Sequence, residues 1–335
     1  MAEKKRLFTG LQPSGTLHIG NYFGAIKPTV ELFKESQGLL MVADYHALTS
    51  LKDPAELKKY TLENVKDYLA AGINLENAIV FKQSDVPEHT ELAWIFDCLV
   101  TVPFLMQGHA YKDKVAKGLE PNAGLFTYPM LMAADILLYD TDVVPVGQDQ
   151  KQHVEYAREA ANKFNNTFCQ GTYPESFPGA PRIEKYRAEN NIFKEPQEQI
   201  QKEVATVPGT DGQKMSKSYK NTIPLFGSKD EISKAVMSIV TDSSGERPEH
   251  VYAIHKLFRS ESDLDALYEE KKGKYKDLKE ALIEDVDAFI TPMREKRASI
   301  TDEDVKKVLK DGAEKARAIA SEKMKVVREK VGVTI

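Results

Sequence analysis

Cysteine and tryptophan are scarce in this chain of 335 residues, which contains two cysteines, Cys98 and Cys169, and a single tryptophan. The two cysteines are far apart and lack the spacing of metal ligands, so neither a disulfide framework nor a zinc site is indicated. We expect both to be buried thiols in a reducing compartment.

Long apolar runs are also missing. No run approaches the roughly 18 residues that a membrane-spanning helix requires. The first six residues lead directly into an apolar segment, which leaves no room for a signal or transit peptide before the fold begins. We therefore expect a cytoplasmic protein without a membrane partner.

Positive charge is not in excess either, because the net charge is -5 and the sequence pI is about 5.9. Such a balance is not typical of a protein that bulk charge holds to nucleic acid, so any such contact must come from local basic patches. Hydrophobic residues make up 41% of the chain. This composition and the length suit two domains, each with a core.

Apolar runs of strand length alternate with helical patterns in the first half of the chain. Strands are predicted at residues 7–11, 38–44, 78–81 and 143–146, and helices at 21–33, 54–71, 88–110, 130–139 and 149–164. This order predicts an α/β fold whose parallel sheet is covered on both faces. Ligands of such sheets bind at the carboxyl ends of the strands.

The second half has a different character. Residues from about 174 to 212 are rich in Pro, Gly, Asn and Gln and are expected to form extended loop. Residues 228–335 show an almost continuous helical pattern. We place the boundary near residue 222, which gives a catalytic domain of residues 1–222, with a helical insertion at about 88–140, and a helical C-terminal domain of residues 223–335.

The most informative segment is residues 8–21 (FTGLQPSGTLHIGN), where a strand would turn into a helix. A helix N-terminus suits phosphate, and Gly15 and Gly20 permit close approach of a ligand. His18 and Asn21 would project hydrogen-bond donors toward an α-phosphate under in-line attack. By itself this string equally fits a glycine-bearing turn with a solvent-facing histidine.

A partner motif lies at residues 214–218 (KMSKS). Lys214 and Lys217 would neutralise the charge of the departing pyrophosphate, while Ser216 and Ser218 would donate to phosphate oxygens. Gly209 and Gly212 would let the loop close. The alternative is a solvated basic loop, but the two motifs together, in this order, predict one ATP site.

Asp135 lies in an apolar helical segment, residues 129–139 (PMLMAADILLY). A carboxylate there is costly unless something donates to it. Tyr128, Met132 and Asp135 are spaced four and three apart and so share one helix face. That face offers an acceptor beside apolar surface, as a planar ring with one N–H or O–H requires. The alternative is a core aspartate paired with a remote Arg or Lys.

Residues 144–153 (VPVGQDQKQH) repeat the pattern of strand, glycine and helix start. Asp149 would accept from ribose hydroxyls or simply cap the helix. Gln150 would accept from an α-ammonium group. Lys114, in what we expect to be a polar loop, would reach phosphate, with solvation as its alternative.

These motifs together resemble those of the bacterial-type tryptophanyl-tRNA synthetases, which are class I aminoacyl-tRNA synthetases, over nearly the whole length. The resemblance implies a Rossmann-like nucleotide-binding domain with a C-terminal all-helical domain. It also implies a homodimer that uses ATP with Mg²⁺ to form tryptophanyl-adenylate and then charges tRNA(Trp). Asn21 stands where the motif commonly has histidine. Two isolated cysteines cannot build the iron–sulfur cluster of some relatives.

The resemblance also assigns roles by matching position. Asp135 would accept the indole N–H, and Tyr128 and Gln150 would hold the amino group. The ring pocket and the reacting carboxylate would involve Phe8, His46, Met132, Val144, Val146 and Gln12. ATP would contact Gln12, Pro13, Ser14, Gly20, Asn21, Gly147, Gln148, Asp149, Val204, Lys214, Met215, Ser216, Lys217 and Ser218. The catalytic groups would be His18, Asn21, Lys114, Lys214 and Lys217.

Residues 305–335 carry nine Lys or Arg against four acids, a surplus of +5 in an acidic protein. A basic helix can follow a phosphate backbone, and the family would place the anticodon near this domain. The alternative is a solvated amphipathic helix. Lys323, Lys325 and Arg328 are our first choice for testing tRNA contact by charge reversal.

Three other functions compete with this interpretation. A tyrosyl-tRNA synthetase has the same fold and chemistry, and Asp135 would then meet a phenol. A small-molecule nucleotidyltransferase would use a similar ATP turn but would leave the helical domain without a task. A non-catalytic paralogue would be expected to lack His18, Lys214 or Lys217, and this chain has all three.

Overall fold

The structure is a computed structural model that describes residues 4–146, 151–169, 190–200, 207–241 and 247–334. Within these residues, five parallel strands form one sheet in the order β3-β2-β1-β4-β5. The strands are β1 (Arg6–Leu11), β2 (Gln37–Val42), β3 (Ala78–Lys82), β4 (Val143–Val146) and β5 (Gln197–Ile200). The parallel sheet is confirmed, and the strand order reverses at β1. This leaves a crevice at the carboxyl ends of β1 and β4, where such sheets bind ligands.

Strand β5 lies in the segment that we expected to be loop. Its sequence, QEQI, contains only one apolar residue, so the apolar signal of a buried strand is absent. It forms because it lies at the edge of the sheet, where it pairs with β4 through Gln197 opposite Val143 and Ile200 opposite Val146.

The helices between the strands follow the expected alternation. They are α1 (Ile19–Asn21), a π-helical segment (Tyr22–Ile26), α2 (Lys27–Lys34), α3 (Asp44–Ala47), α4 (Pro54–Ala70), α5 (Glu88–Asp97), α6 (Val102–Leu105), α7 (His109–Ala116), α8 (Ala123–Leu137) and α9 (Lys151–Phe164). Helix α4 begins where Asp53 accepts hydrogen bonds from two backbone N–H groups of its first turn. This N-cap and the proline that follows it explain why the sequence located α4 well.

The helical insertion differs from its prediction in two ways. We expected one helix over residues 88–110, but the structure has three, α5, α6 and α7. Pro103 stands in the first turn of α6, where its missing N–H and its ring prevent a continuous helix from running through from α5, and Gly108 provides the break before α7. Lys114 therefore lies in helix α7 and not in a loop. Helix α8 begins at Ala123, because the Asn122 side chain accepts from the Leu125 N–H.

The C-terminal region is all helical where it is described, as predicted. It contains α10 (Lys229–Met237), α11 (Glu249–His255), α12 (Glu261–Glu270), α13 (Tyr275–Ser299) and α14 (Asp302–Val331). Helices α10 and α14 begin with capping boxes, Ser228 with Glu231 and Thr301 with Asp304. The domain boundary near residue 222 stays a prediction.

Two apolar clusters cover the two faces of the sheet, because successive strand residues point to opposite sides. Leu7 and Leu40 belong to one cluster, whereas Phe8 and Leu39 belong to the other. Helix α14 contributes to both clusters because it crosses the sheet edge at β3. At the crossing, a Cβ on Gly312 would lie 1.8 Å from the Val80 carbonyl oxygen, so only glycine fits.

The two cysteines do not share one environment. Cys169 is buried as expected, but Cys98 is exposed. Cys98 follows the last residue of α5, one turn after the exposed Trp94, and so extends the solvent side of that helix. No described helix is long and apolar enough to cross a bilayer.

Candidate active site

The first motif leaves β1 at Leu11 and enters α1 through a tight turn. Gly15 has φ +37°, a left-handed conformation that favours glycine. His18 caps α1: its ring Nδ1 accepts from the Asn21 backbone N–H at 3.3 Å, and its backbone N–H donates to Asn21 Oδ1 at 3.1 Å. Because Nδ1 is an acceptor, the other ring nitrogen of neutral His18 carries the proton and is a donor.

His18 is only 6% exposed, which rules out the solvent-facing histidine considered from the sequence. Burial, reinforced by the positive charge of Lys217, lowers the pKa of His18 to about 4. His18 is therefore neutral at pH 7. A Cβ on Gly20 would lie 2.9 Å from His18 Nδ1 and 3.3 Å from Met215 Cβ, so this glycine lets the second motif pack on the first.

The second motif docks against the first. Met215 is buried, and its N–H donates to the Val207 carbonyl at 2.9 Å. Asn221 accepts from the Ser216 N–H at 2.8 Å and so shapes the loop. The Ser216 hydroxyl accepts from the Ser218 N–H at 3.3 Å, which means that these two serines also hold each other.

Lys217 links the two motifs. Its Nζ donates to the Ser14 carbonyl oxygen at 2.6 Å. Partial burial lowers the pKa of Lys217, and attraction to Asp67 opposes that shift. Lys214 is exposed, and its side chain forms no hydrogen bond or ion pair with the described residues. The structure therefore brings one of the two motif lysines into contact with the turn of the first motif.

A cavity of about 460 Å³ opens beside this turn, at the carboxyl ends of β1 and β4. It is lined by all seven predicted tryptophan-binding residues whose side chains are described: Phe8, Gln12, His46, Tyr128, Met132, Asp135 and Val144. Met41, Ala43 and Ile136 add apolar wall. The predicted common face of Tyr128, Met132 and Asp135 is confirmed, since all three line this cavity.

Asp135 lies at the wall of the cavity and is only 1% exposed. Its Oδ2 lies 2.8 Å from His46 Nε2, and its Oδ1 lies 2.6 Å from His89 Nδ1. Gln83 Nε2 donates to both oxygens, at 2.8 and 3.0 Å. The sequence allowed a remote Arg or Lys as the partner of Asp135. The structure shows two histidines and a glutamine in that place instead.

These partners determine the charge of Asp135. Burial by itself would raise the pKa of Asp135, but attraction to His89 and the hydrogen bonds from His46 and His89 lower it to about 2. His89 is fully buried, and its Nε2 lies 2.7 Å from the Tyr139 hydroxyl. The cavity therefore has an ionised acceptor with a fixed orientation on an otherwise apolar wall.

Gln83 and His89 were not identified from the sequence. One signal was available for Gln83, because it follows β3 directly and so lies at the carboxyl edge of the sheet. His89 lies in the first turn of α5, and nothing in its sequence spacing points to Asp135. The Tyr128 hydroxyl, expected to hold an amino group, lies 2.9 Å from His153 Nε2.

Several predicted residues cannot be placed. Gly147, Gln148, Asp149, Gln150 and Val204, as well as the side chain of Val146, lie outside the described residues. Lys114 lies one turn after the cavity residue Ala110 in α7, and its side chain forms no hydrogen bond or ion pair with described residues. In the part of the chain that is described, no group of three or more His, Cys, Asp or Glu could hold a metal ion.

Comparison with known proteins agrees with this site. A model of the family described as tRNA synthetases class I (W and Y) matches residues 1–316. The chain belongs to this family. The two motifs that meet at Lys217 and the cavity beside them both lie within the matched residues.

Similar class I synthetases are known from several organisms. The chain is 45% identical to a tryptophan–tRNA ligase of Fusobacterium nucleatum, over 98% of both chains. The crystal structure of tryptophanyl-tRNA synthetase from Campylobacter jejuni, complexed with ADP and tryptophan, superimposes with a TM-score of 0.86. The two sequences are 43% identical, and the match covers 98% of this chain and 99% of that one. A tyrosyl-tRNA synthetase from Archaeoglobus fulgidus, 19% identical over 88% of this chain and 90% of its own, has a TM-score of 0.60 and shares the fold.

Proposed function

We propose that this chain activates L-tryptophan with ATP and then transfers it to tRNA(Trp). The observation that carries the proposal is the position of Asp135, an ionised and oriented acceptor in an apolar cavity that reaches Gln12 of the ATP turn. The similar proteins named above, of which one binds ADP and tryptophan, support the same substrates.

The first step needs no covalent enzyme intermediate. A carboxylate oxygen of tryptophan attacks the α-phosphorus of ATP, the bond from that phosphorus to the bridging oxygen breaks, and pyrophosphate leaves with the electron pair. The chain supplies position and charge stabilisation. Neutral His18 would donate from Nε2 to an α-phosphate oxygen, and Lys217, with Lys214, would stabilise the leaving pyrophosphate. Mg²⁺ would arrive with ATP as part of the substrate.

Specificity follows from the carboxylate of Asp135. An indole N–H would donate to this ionised acceptor alongside its histidine and glutamine partners, whereas phenylalanine brings no donor, and a site built for that hydrogen bond rejects it strongly. Tyrosine carries a phenol donor and is the remaining rival. Its rejection would depend on where the walls formed by Phe8, Met132 and Val144 place the ring.

The decisive experiment is ATP–pyrophosphate exchange without tRNA, with tryptophan, tyrosine or phenylalanine as the amino acid. Exchange with tryptophan alone supports the proposal. Exchange with tyrosine would retain the mechanism but overturn the specificity. Exchange with none of the three would favour a nucleotidyltransferase of another substrate or a silent paralogue.

The second step requires tRNA, and helix α14 is the proposed contact. The structure changes which of its residues should be tested. Lys323 Nζ lies 2.5 Å from Asp140, and Arg328 donates to Glu91 at 2.7 Å. These two residues therefore attach α14 to the catalytic domain. By contrast, the exposed side chains of Lys310 and Lys315 make no hydrogen bond or ion pair with described residues.

We expect the double substitution Lys310→Glu and Lys315→Glu to weaken tRNA(Trp) binding roughly ten-fold at low salt, since phosphate contacts are electrostatic. Exchange without tRNA should be unchanged. Lys323→Glu serves as the contrast, because it should lower thermal stability through loss of the Asp140 contact. Unchanged tRNA affinity in the double variant would remove these two lysines from the interface.

The homodimer and the cytoplasmic location also remain proposals. Helices α5 and α6 carry exposed apolar side chains, among them Trp94, 69% exposed, and Val102, 61% exposed. We place the dimer contact on these two helices, because a partner subunit would cover their exposed apolar side chains. Sedimentation velocity tests the dimer directly: a mass near twice 37.6 kDa is expected, and a monomer at micromolar concentration would contradict it.

A further inference from the structure

Asn64, in the middle of helix α4, is a buried polar residue that contacts the turn of the first motif. It is 1% exposed. Its Oδ1 accepts from the Ser14 N–H at 3.1 Å, and its Nδ2 donates to the Gly15 carbonyl oxygen at 3.3 Å. Both bonds go to the backbone of the ATP turn, 50 residues away. Asn64 thus satisfies two peptide groups of a turn that has no ladder partner of its own.

The same turn is held from its other side by the second motif. The Ser14 carbonyl accepts from Lys217 Nζ, while the Ser14 N–H is bound to Asn64. Gly15 has the left-handed φ of +37°, a conformation that the neighbouring contacts must maintain. Asn64 and Lys217 therefore hold one residue, Ser14, between them at its N–H and its carbonyl oxygen, and Asn64 does so from the protein interior.

Helix α4 is itself anchored to the C-terminal domain. Asp67 lies one turn after Asn64, is 2% exposed, and pairs with Arg297 of helix α13. Glu63, the residue before Asn64, pairs with the same guanidinium. Two acids that flank Asn64 on consecutive turns thus hold the helix in one rotational position. Because the position of α4 is fixed in this way, the Asn64 side chain alone can hold the short turn in place.

We propose that Asn64 is a positioning residue of the nucleotide site, which sets the Ser14–Gly15 backbone for ATP. The inference rests on the proposed role of this turn in ATP binding. Asn64 lines no part of the ring cavity, so its effect is confined to the nucleotide. Loss of two neutral hydrogen bonds, each about 1 kcal/mol, corresponds to roughly a ten- to thirty-fold change.

The test is steady-state ATP–pyrophosphate exchange by Asn64→Ala, with KM for ATP and for tryptophan measured separately. We expect KM for ATP to rise at least ten-fold while KM for tryptophan stays within two-fold. Asn64→Asp keeps the side-chain volume and the acceptor for Ser14 N–H but loses the donor to Gly15. It should also raise KM for ATP, and it provides a second variant if the alanine protein does not fold.

Asn165→Ala is the matched control. Asn165 is 4% exposed, donates to the Phe193 carbonyl at 2.7 Å and accepts from two backbone N–H groups, but it lies away from the site. It should lower the melting temperature comparably and leave both KM values unchanged. Equal changes in both KM values for Asn64→Ala, or no change in KM for ATP, would overturn the proposal.

His18→Ala in the same assay separates this inference from the proposed function. If His18→Ala exchanges at the wild-type rate, the assignment of the turn to ATP is itself wrong. If His18→Ala is slow and both Asn64 variants behave like wild type, only the positioning role of Asn64 is refuted.

Discussion

The Lys217 ammonium donates to the Ser14 carbonyl oxygen at 2.6 Å, although the two residues are 203 positions apart in the chain. The contact brings a lysine of the second motif onto the glycine-bearing turn of the first. A triphosphate bound at this turn would compete with the carbonyl for the same ammonium group. In the proposed mechanism, this contact holds the loop where charge would develop as pyrophosphate leaves.

Lys217→Ala should therefore slow adenylate formation by roughly 10²- to 10³-fold, the usual loss when one oriented donor is removed from a transition state. Tryptophan affinity, measured by equilibrium dialysis, should be unchanged. Lys220→Asn is the control, since it removes a charge from the same loop at a left-handed position (φ +54°) that asparagine tolerates. Equal loss of tryptophan binding and of rate would mean that Lys217 is structural.

Asp135→Asn should weaken tryptophan binding by roughly 10- to 150-fold, because a hydrogen bond to a charged acceptor contributes about 1.5–3 kcal/mol. The structure adds a consequence that the sequence did not indicate. Asp135→Ala would leave His46, His89 and Gln83 without their shared acceptor, so we expect it to destabilise the protein by about 3–5 kcal/mol. Urea unfolding and dialysis distinguish the two effects, and unchanged stability of Asp135→Ala would contradict the observed network.

His18 should make stability depend on pH in a definite direction. Its pKa is about 4 in the folded protein and 6.5 as a free side chain, so the unfolded chain binds the proton more readily. Its contribution is complete above pH 6.5 and is lost as the pH falls toward 4. For these two pKa values the loss between pH 7.5 and 5.5 is about 1.3 kcal/mol.

The measurement compares wild type with His18→Asn, which keeps a capping acceptor but does not titrate. Urea unfolding at the two pH values should show wild type losing stability relative to the variant as the pH falls. Parallel loss in both proteins would show that His18 is not kept neutral by its burial.

Gly312→Val should separate helix α14 from the sheet edge. Its Cβ would lie 1.8 Å from the Val80 carbonyl, and backbone cannot yield as a flexible side chain does. We expect a loss of about 3 kcal/mol or more by thermal or urea unfolding. Gly24→Ala is the control, because nothing lies within 4 Å of the added Cβ, and it should be neutral or slightly stabilising.

Much of the fold was predictable because its signals are local. Strands β1 to β4 are short apolar runs, and α4, α10 and α14 begin at side chains that cap their own first turns. Strand β5 was not predictable, since its polar sequence pairs only because β4 presents a free edge. The breaks before α6 and α7 coincide with Pro103 and Gly108, but the apolar pattern continues across both residues and so predicts one helix.

The chain's local patterns are enough to predict the two motifs, the alternation of strand and helix that gives a parallel sheet, and the common helix face of Tyr128, Met132 and Asp135. The groups that meet them depend on the tertiary fold: His89 beside Asp135, Asn64 beneath Ser14, and α14 across β3. The difference lies in how far along the chain each effect acts. Capping, periodicity and backbone preference act over a few residues, whereas these contacts join positions 46 to more than 200 residues apart and exist only once the chain path has been fixed by packing.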